Sequence, residues 1–456
     1  MVSPVIPVRS NRAPARRAAQ QAQQGPQAVT PLTESTAERH MSGVCFKIGP
    51  PRLVGVEVEW FVHDDRCPGL AVAPERVSAA IASLPPHPDG QVLPAGSLIT
   101  LEPGGQVELS SPPADSLASC VEATRRDLAV LRSAFAAQGL RLTGTGTDPL
   151  DRDRRMVLDH PRYLAMERFF DRGGPWGRIM MTGTASVQVC VDAGAEAGPH
   201  ELGERWRLAH LLGPVLVAAF ANSPLLDGRP TGYRSTRQTV WSRMDPSRTL
   251  APATDGGDPR AAWASYVLDA ELLCIRRPDG LPWTAPAGLT FRDWLRGGGD
   301  RPPTMADLDY HRTTLFPPIR PHGHLELRMI DAQPGDGWVV PAALAGALLD
   351  DPVAADAARA ALEPLAVDAG APPPRSAVWQ RAATHAVGDP QLRRAALACF
   401  AAADAALSRL DGAAQLRATV AEFADRYPAR GRCPADDQLD ALRSGTRISP
   451  PEAAPC

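Results

Sequence analysis

Alternating apolar and polar positions predict five strands along the chain. They lie at residues 53–62, 106–111, 140–145, 179–191 and 323–331, where β-branched and other apolar residues alternate with polar ones. Helical spacing between them predicts helices at 115–138, 160–170 and 200–221. Most connections between strands are too long for hairpins. The pattern therefore favours an α+β fold in which the strands form one antiparallel sheet.

The rest of the chain is predicted to contain a loop-rich segment and a helical region. Residues 223–262 have many turn-forming residues and arginines but little apolar periodicity, and loops of this kind often carry binding groups. From about 341 to 426 the chain is rich in Ala and Leu with helical spacing, interrupted by prolines at 372–374. We expect a disordered tail over 1–42, a catalytic domain over 43–350, a helical region packed on it over 351–430 and a flexible end over 431–456. Either Met1 or Met41 can serve as the translation start.

Five glutamates occupy the predicted strands or their ends. They are Glu57 and Glu59 in GVEVEW, Glu102 and Glu108 in LEPGGQVELS, and Glu326 in HGHLELRMID. Residues two apart on a strand share one face, so several carboxylates would project together and repel one another unless a cation neutralised them. One such segment alone is usually a solvated face, but three together favour an enzyme that binds Mg²⁺. Arg328 shares the face of Glu326 and is placed to meet a phosphate.

Charge and lysine content restrict the possible partners and the way phosphate is bound. With 48 basic and 51 acidic residues the net charge is −3, so no broad basic field points to nucleic acid or to an anionic membrane surface. The only lysine is Lys47, which excludes a P-loop of the Gly-x-x-x-x-Gly-Lys type. Small soluble substrates fit better, and arginine and metal would have to handle any nucleotide phosphates.

Cysteine usage and hydropathy predict a cytoplasmic protein. The eight cysteines are scattered without a C-x-x-C pair, which is typical of reduced thiols in a cytosol. The apolar stretch LAHLLGPVLVAAFA is too short to span a bilayer and predicts a buried helix instead.

Five longer motifs carry a resemblance to a known family. They are GVEVEW, EPGGQVELSSPP, SVQVCVD, NSPLLDGRPTGYRSTRQTVW and HRTTLFPPIRPHGHLELRMID, within residues 53–340. In these motifs the chain resembles the glutamate-cysteine ligases, in the branch shared by plant enzymes and actinobacterial ligases of ergothioneine biosynthesis. The resemblance implies a fold like that of glutamine synthetase and the guanidino kinases, with a curled antiparallel sheet that forms a funnel around the active site.

The same resemblance implies the reaction and its cofactors. ATP would phosphorylate the γ-carboxylate of L-glutamate, and the amine of L-cysteine would attack the acyl phosphate to give γ-glutamylcysteine, ADP and phosphate. The implied cofactors are ATP and Mg²⁺, with Mn²⁺ as a possible substitute. The implied partners are small molecules, with neither nucleic acid nor membrane, and the sequence leaves the oligomeric state open.

Roles for individual residues follow from the matching motif positions. Glu57, Glu59, Glu108 and Glu326 match positions that hold metal ions. Arg328 matches an arginine that contacts the transferred phosphate, so Arg328 and Glu326 are the candidate catalytic residues, although Arg328 could instead pair with a glutamate across the sheet. The candidate substrate-binding residues are Arg237 for an α-carboxylate, Gln188 and Glu102.

Two of these assignments keep an alternative. Glu102 could be a further metal ligand or merely an acid at a turn, and Gln188 could be a buried amide satisfied by its neighbours. The chain also departs from the plant-like pattern QVNLD, since it has Cys190 and Val191 after Gln188 and Val189.

Two other functions remain open on the sequence alone. One is a γ-glutamyl ligase that uses a different amine acceptor. The other is a non-catalytic binding protein on the same fold, although a binding role gives no reason for so many repelling charges.

Overall fold

The computed structural model describes residues 32–445 apart from 86–90, 154, 254–256, 279 and 367–369. Nine strands lie in these residues: β1 Val54–Asp64, β2 Leu98–Leu101, β3 Val107–Ser110, β4 Leu140–Thr143, β5 Ser186–Val191, β6 Leu225–Leu226, β7 Arg229–Pro230, β8 Ile319–Pro321 and β9 Leu325–Asp331. Seven of them form one sheet in the order β2-β3-β1-β5-β9-β8, with β4 paired to the far half of β1, and β6 and β7 form a separate small ribbon. Every pair is antiparallel.

Helices surround this sheet. Those before β8 are Glu34–Cys45, Pro74–Ala82, Leu117–Ala137, Pro161–Asp171, Trp176–Gly183, Leu202–Ala219, Thr236–Ser242, Pro246–Thr249, Pro259–Asp269, Phe291–Asp293 and Met305–Arg312. Those after β9 are Val339–Asp350, Pro352–Ala366, Ala377–His385, Pro390–Leu407, Ala414–Arg426 and Pro434–Arg443. The predicted α+β class and antiparallel sheet are confirmed.

One face of the sheet is apolar and packs on helices. Val56 and Val58 of β1, Val187 and Val189 of β5 and Leu327 of β9 are all at most 1% exposed and belong to one continuous core. Helix Leu202–Ala219 contacts β9 on this side, and the later helices pack on that helix in turn. Successive residues of a strand point to opposite faces of the sheet. The polar residues that alternate with these apolar ones therefore lie on the other face.

Helix Leu202–Ala219 is buried over most of its length, as its apolar sequence predicts, and it contains Pro214. Within the described ranges, no helix is both long and apolar enough to cross a membrane.

Both predicted ends contain more structure than expected. Residues 34–42 were expected to be part of a tail, yet Glu34–Cys45 is a helix capped by Thr33, and its residues Ala37, Met41 and Cys45 are fully buried because they recur every four positions on one face. Residues 434–443, expected to be flexible, form a helix that buries Leu439. The rest of both predicted ends, 1–31 and 446–456, lies outside the described residues.

One local prediction also needs correction. Residues 179–185 were predicted as strand, but Trp176–Gly183 is a helix whose Met180 and Met181 pack with Phe169 and Phe170, and the strand begins only at Ser186. Six cysteines of the described ranges are free, and five of these are buried.

Candidate active site

The polar face of the sheet brings the predicted acidic residues together. In the register of β1 with β3, Glu59 lies opposite Glu108, and in its register with β5, Glu57 lies opposite Gln188. Glu326 of β9 lies opposite Cys190 of β5. Residues two apart and residues in register share a face of a sheet, so these side chains line one surface across four adjacent strands. We call this surface the acidic face.

Glu102 joins the acidic face through a tight turn between β2 and β3. Its amide N–H donates to the carbonyl of Gln106 at 2.9 Å, and the amide of Gly105 donates to the carbonyl of Glu102 at 2.8 Å. The turn requires both glycines: a Cβ on Gly104 would clash with the backbone of Thr182, and Gly105 has a φ of +84°. Burial, and then the charges of Glu108 and Glu59, raise the pKa of Glu102 well above its usual value.

Glu59 is held in place by β5. Its carboxylate accepts hydrogen bonds from the amide and hydroxyl of Ser186, at 2.8 and 2.9 Å, and from Nε2 of Gln188 at 3.1 Å. Burial, with the neighbouring charge of Glu108, still raises the pKa of Glu59 to about 7. Glu108 accepts hydrogen bonds from Thr100 at 2.7 Å and from Ser110 at 3.3 Å.

Glu57, like Glu102, lacks a partner for its carboxylate among the described residues. Within the described residues its carboxylate accepts no hydrogen bond and has no ion-pair partner. Burial and the charges of Glu326 and Glu108 raise its pKa to about 8. A partly buried carboxylate without a donor, beside like charges, is a position where a cation would be stabilised.

Glu326, in contrast, is already neutralised. Arg320 donates to both of its carboxylate oxygens, at 2.7 and 2.9 Å, and Arg328 pairs with it from the same strand. Burial of Glu326, which is 2% exposed, would raise its pKa, but the two guanidinium groups outweigh burial and lower the pKa to about 2. Glu326, which was predicted to bind metal, therefore belongs to an ion-pair network. The salt bridge between Arg328 and a glutamate, which the sequence left open as an alternative, is formed.

Gln188 links this network to Glu59. Its Oε1 accepts from Arg328 and its Nε2 donates to Glu59. With only 2% of its surface exposed, the amide is satisfied by these two side chains. It thereby fixes the spacing between Arg328 and Glu59.

The donor set fits a divalent cation that is shared with a ligand. The acids of the acidic face present carboxylate oxygens, which hard cations prefer. No three His, Cys, Asp or Glu side chains of the described ranges form a ready-made metal cage. Mg²⁺ usually binds through one or two carboxylates together with substrate phosphates, so an incomplete cage suits it.

Arg237 belongs to helix Thr236–Ser242 and packs against strand β9, where it is 3% exposed. It donates to the carbonyl of Arg328 at 2.9 Å and to that of Ile330 at 3.5 Å, while its Nε is buried without a partner in the described residues. Its guanidinium lies 5.9 Å from the centre of the Trp241 ring. Arg237 therefore reaches the same site from helix Thr236–Ser242, with hydrogen-bonding capacity left over.

Asp331 belongs to the site although the sequence did not single it out. It is 2% exposed and lies opposite Ser186 in the sheet, so it occupies the same face as the glutamates. Its carboxylate accepts from Ser223 Oγ at 2.6 Å and from Ser235 Oγ at 3.0 Å, and it lies 3.9 Å from Arg237. A β-bulge between Val187 and Val189 shifts the register. Plain alternation along β9 therefore gave no signal for this residue.

Three comparisons with known proteins agree with one another. The sequence profile of "Glutamate-cysteine ligase family 2(GCS2)" matches residues 53–452. A glutamate-cysteine ligase called EgtA, from Mycolicibacterium smegmatis, is 42% identical over 430 residues, which cover 90% of this chain and 96% of that protein. A chloroplastic glutamate-cysteine ligase from Nicotiana tabacum is 32% identical over 265 residues, 56% of this chain and 49% of that protein.

A solved structure shares the fold. It is the glutamate-cysteine ligase of Francisella tularensis in complex with AMP, which superimposes with a TM-score of 0.52 at 13% identity and covers 87% of this chain and 86% of that one. At this identity the likeness concerns the fold alone.

Proposed function

Because the chain belongs to glutamate-cysteine ligase family 2, we propose that it joins L-glutamate to L-cysteine with the hydrolysis of ATP, through γ-glutamyl phosphate. The products are γ-glutamylcysteine, ADP and phosphate. The observation that carries this proposal is the acidic face, on which Glu57, Glu59 and Glu108 lie beside the Arg328 and Glu326 pair. That arrangement suits phosphate transfer between two anions, which depends on positioning and electrostatics.

The carboxylates of Glu57, Glu59 and Glu108 would hold Mg²⁺, with Mn²⁺ as a substitute. When bound, the metal supplies positive charge to the ATP phosphates and to the incoming carboxylate. Glu57 and Glu59 are the residues for which this matters most, since burial raises the pKa of each and both must be ionised to bind a cation. The charges of Glu108 and Glu59 also raise the pKa of Glu102, and this residue would contact the substrate from its turn.

Arg328 and Arg237 would position the two ends of the glutamate substrate. Arg328 is held by Gln188 and Glu326 at the centre of the face, where its guanidinium offers paired donors to the transferred phosphate. Arg237 donates a hydrogen bond to the backbone carbonyl of Arg328, and its Nε has no partner in the described residues. This free N–H suits an α-carboxylate. The γ-carboxylate would then lie between Arg328 and the acids.

The chemistry occurs in two steps. A γ-carboxylate oxygen attacks the terminal phosphorus of ATP, and the bond to the bridging oxygen breaks to release ADP. The neutral amine of cysteine then attacks the γ-carbonyl carbon; the C–N bond forms, the C–O bond to phosphate breaks and the amine loses a proton. The protein's part in both steps is to orient the groups and stabilise charge.

We place the product in ergothioneine formation and the enzyme in the cytoplasm. The first follows from the similarity to EgtA over nearly the whole chain. The second follows from the need for ATP and for reduced cysteine as substrates.

The decisive experiment is product identification. Purified protein is incubated with ATP, Mg²⁺, glutamate and cysteine, and the products are identified by mass spectrometry beside a reaction without glutamate. We expect γ-glutamylcysteine and stoichiometric ADP. Folded protein that releases no ADP in a glutamate-dependent way would refute the proposal and support a non-catalytic role.

A further inference from the structure

Helix Pro434–Arg443 packs against the chain segments that hold Arg237 and Asp331 in place. We call it the C-terminal helix. It contributes no strand to the sheet and none of the residues that define the acidic face. Its first turn is fixed to the body of the protein, because the amide of Ala435 is buried and donates to the carbonyl of Ala221 at 2.9 Å. Two side-chain contacts then connect it to the site.

The first contact joins Gln438 to Asn222, a residue that is 2% exposed. Nε2 of Gln438 donates to the backbone carbonyl of Asn222 at 3.1 Å and to its Oδ1 at 2.6 Å. Nδ2 of Asn222 donates in turn to the carbonyls of Gly144, at 3.0 Å, and Ala332, at 2.7 Å. Within the described part of the chain, Gln438 therefore supplies the hydrogen bond to Oδ1. Without it, a buried oxygen would lose its donor.

Asn222 and the residue after it hold Asp331. The backbone amide of Asn222 donates to Oδ2 of Asp331 at 2.9 Å, and the hydroxyl of Ser223 donates to the same oxygen at 2.6 Å. Oγ of Ser223 also accepts from the amide of Arg237 at 3.2 Å. Because Asn222 and Ser223 are consecutive, a shift of Asn222 would move both donors to this oxygen and a support of Arg237.

The second contact is an ion pair between Asp436 and Arg234. Nε of Arg234 donates to Asp436 at 2.7 Å, and the two side chains are 17% and 31% exposed. Arg234 directly precedes Ser235, whose hydroxyl donates to Oδ1 of Asp331 at 3.0 Å and whose side chain caps helix Thr236–Ser242. The C-terminal helix is thus connected to both carboxylate oxygens of Asp331, through two separate segments.

We propose that the C-terminal helix orients Arg237 for glutamate, and that Gln438 and Arg234 are positioning residues that act through Asp331. The inference rests on the proposed ligase function, in which Arg237 receives the α-carboxylate. A buried polar network whose members are all satisfied holds its side chains in one arrangement. Neither contact involves a glutamate of the acidic face, so loss of either should change the binding of glutamate and leave the use of ATP unaltered.

The test measures steady-state kinetics of ADP release with full-length variants. Gln438→Met keeps the length of the side chain and removes the donor to Asn222. We expect KM for glutamate to rise by roughly 5-fold, since loss of a contact remote from a ligand changes its binding by about that factor. The values of kcat and of KM for ATP should stay close to those of the wild type. A helix that only stabilised the fold would not separate the two KM values.

Asp437→Asn is the matched control on the same helix. Asp437 accepts hydrogen bonds from Arg426, Tyr427 and Arg432, which connect the C-terminal helix to the preceding helix and turn. Its loss should lower the melting temperature while KM for glutamate stays at the wild-type value.

Arg234 provides a second pair of variants where Gln438→Met does not fold. Arg234→Met removes the charge that faces Asp436 and should raise KM for glutamate, again without a change in KM for ATP. Arg234→Lys keeps that charge, so its KM for glutamate should return towards the wild-type value.

The outcomes separate this inference from the ligase function. If the wild-type protein shows no glutamate-dependent ADP release, the proposed function itself fails. If the wild type makes γ-glutamylcysteine and the folded Gln438→Met and Arg234→Met variants keep its KM for glutamate, the positioning role is overturned. An equal rise in KM for glutamate in Asp437→Asn overturns it too, because that result would reflect general loosening of the helix.

Discussion

Arg320 holds Glu326 by two parallel hydrogen bonds, from Nε at 2.7 Å and from Nη2 at 2.9 Å, across the pair of strands β8 and β9. With Arg328 on the other side, Glu326 is fully ionised and screened before any ligand binds. It differs in this from Glu57, which has no donor in the described residues. The two acids therefore have different physical roles although they share one face.

Glu326→Gln should impair both activity and stability. The substitution keeps the volume but leaves Arg320 and Arg328, whose side chains are 17% and 14% exposed, without their counter-charge. Removing one partner of a buried ion pair costs roughly 3–5 kcal/mol, so we expect a clear fall in melting temperature along with a severe loss of turnover. Thermal melting and ADP release check both. The matched variant Glu57→Gln should lose activity while its melting temperature stays at or above that of the wild type, since it removes a carboxyl group that accepts no hydrogen bond in the described residues and has its pKa raised by burial. An unchanged melting temperature for Glu326→Gln would contradict the ion-pair role.

The metal-free protein should become less stable as the pH rises from about 6.5 to 8.5. Burial raises the pKa of Glu57 to about 8 and that of Glu59 to about 7, above the usual carboxyl value of 4.5. In this window the folded state therefore binds protons that the unfolded state has released, and the free energy of unfolding falls with increasing pH. We expect the melting temperature of EDTA-treated protein to fall across the window, and Mg²⁺ to raise it more at pH 8.5 than at pH 6.5.

The variant Glu57→Gln isolates this effect. Buried histidines such as His311, whose pKa burial lowers to about 3, titrate in the unfolded state and change stability mainly below pH 6.5. They are present in both proteins. The difference in melting temperature between wild type and Glu57→Gln should therefore reflect the acidic face. Parallel pH curves for the two proteins would exclude a proton on Glu57.

Arg328→Lys should reduce turnover with little loss of stability. The lysine keeps the charge beside Glu326 but cannot offer two parallel donors to a phosphate. Loss of one such interaction in the transition state lowers kcat by roughly 100-fold. Arg320→Lys is the matched control, because Arg320 holds Glu326 without facing Gln188 and should affect kcat less. Equal kcat losses in both variants, measured by ADP release, would count against a special role for Arg328.

The acidic face was predictable from the sequence because the spacing within each strand already places its polar residues on one side. Glu57 and Glu59 lie two apart on one strand, as do Glu326 and Arg328, and any antiparallel pairing of those strands in the right register brings them together. The pairing of Arg320 with Glu326 depends on a short edge strand of three residues that periodicity does not reveal.

Other parts of the site depend on tertiary structure. Asp331 reaches the acidic face because a bulge between Val187 and Val189 changes the register, which alternation cannot show. Likewise, the apolar stretch at 179–185 suits a strand or a buried helix equally, and its packing on Phe169 and Phe170 decides for the helix.

Asp331→Asn should raise KM for glutamate more than it lowers kcat. Asn keeps the shape and can still accept a hydrogen bond from Ser223 or Ser235, but it removes the negative charge 3.9 Å from Arg237. With that charge gone, the Arg237 guanidinium is free to take other orientations, and we expect KM for glutamate to rise by roughly 10-fold with a smaller change in kcat. Asp148→Asn is the matched control, because Asp148 is equally buried and pairs with Arg152 instead. It should lower the melting temperature without changing KM for glutamate. A rise in KM in both variants, or in neither, would show that Asp331 has only a structural role.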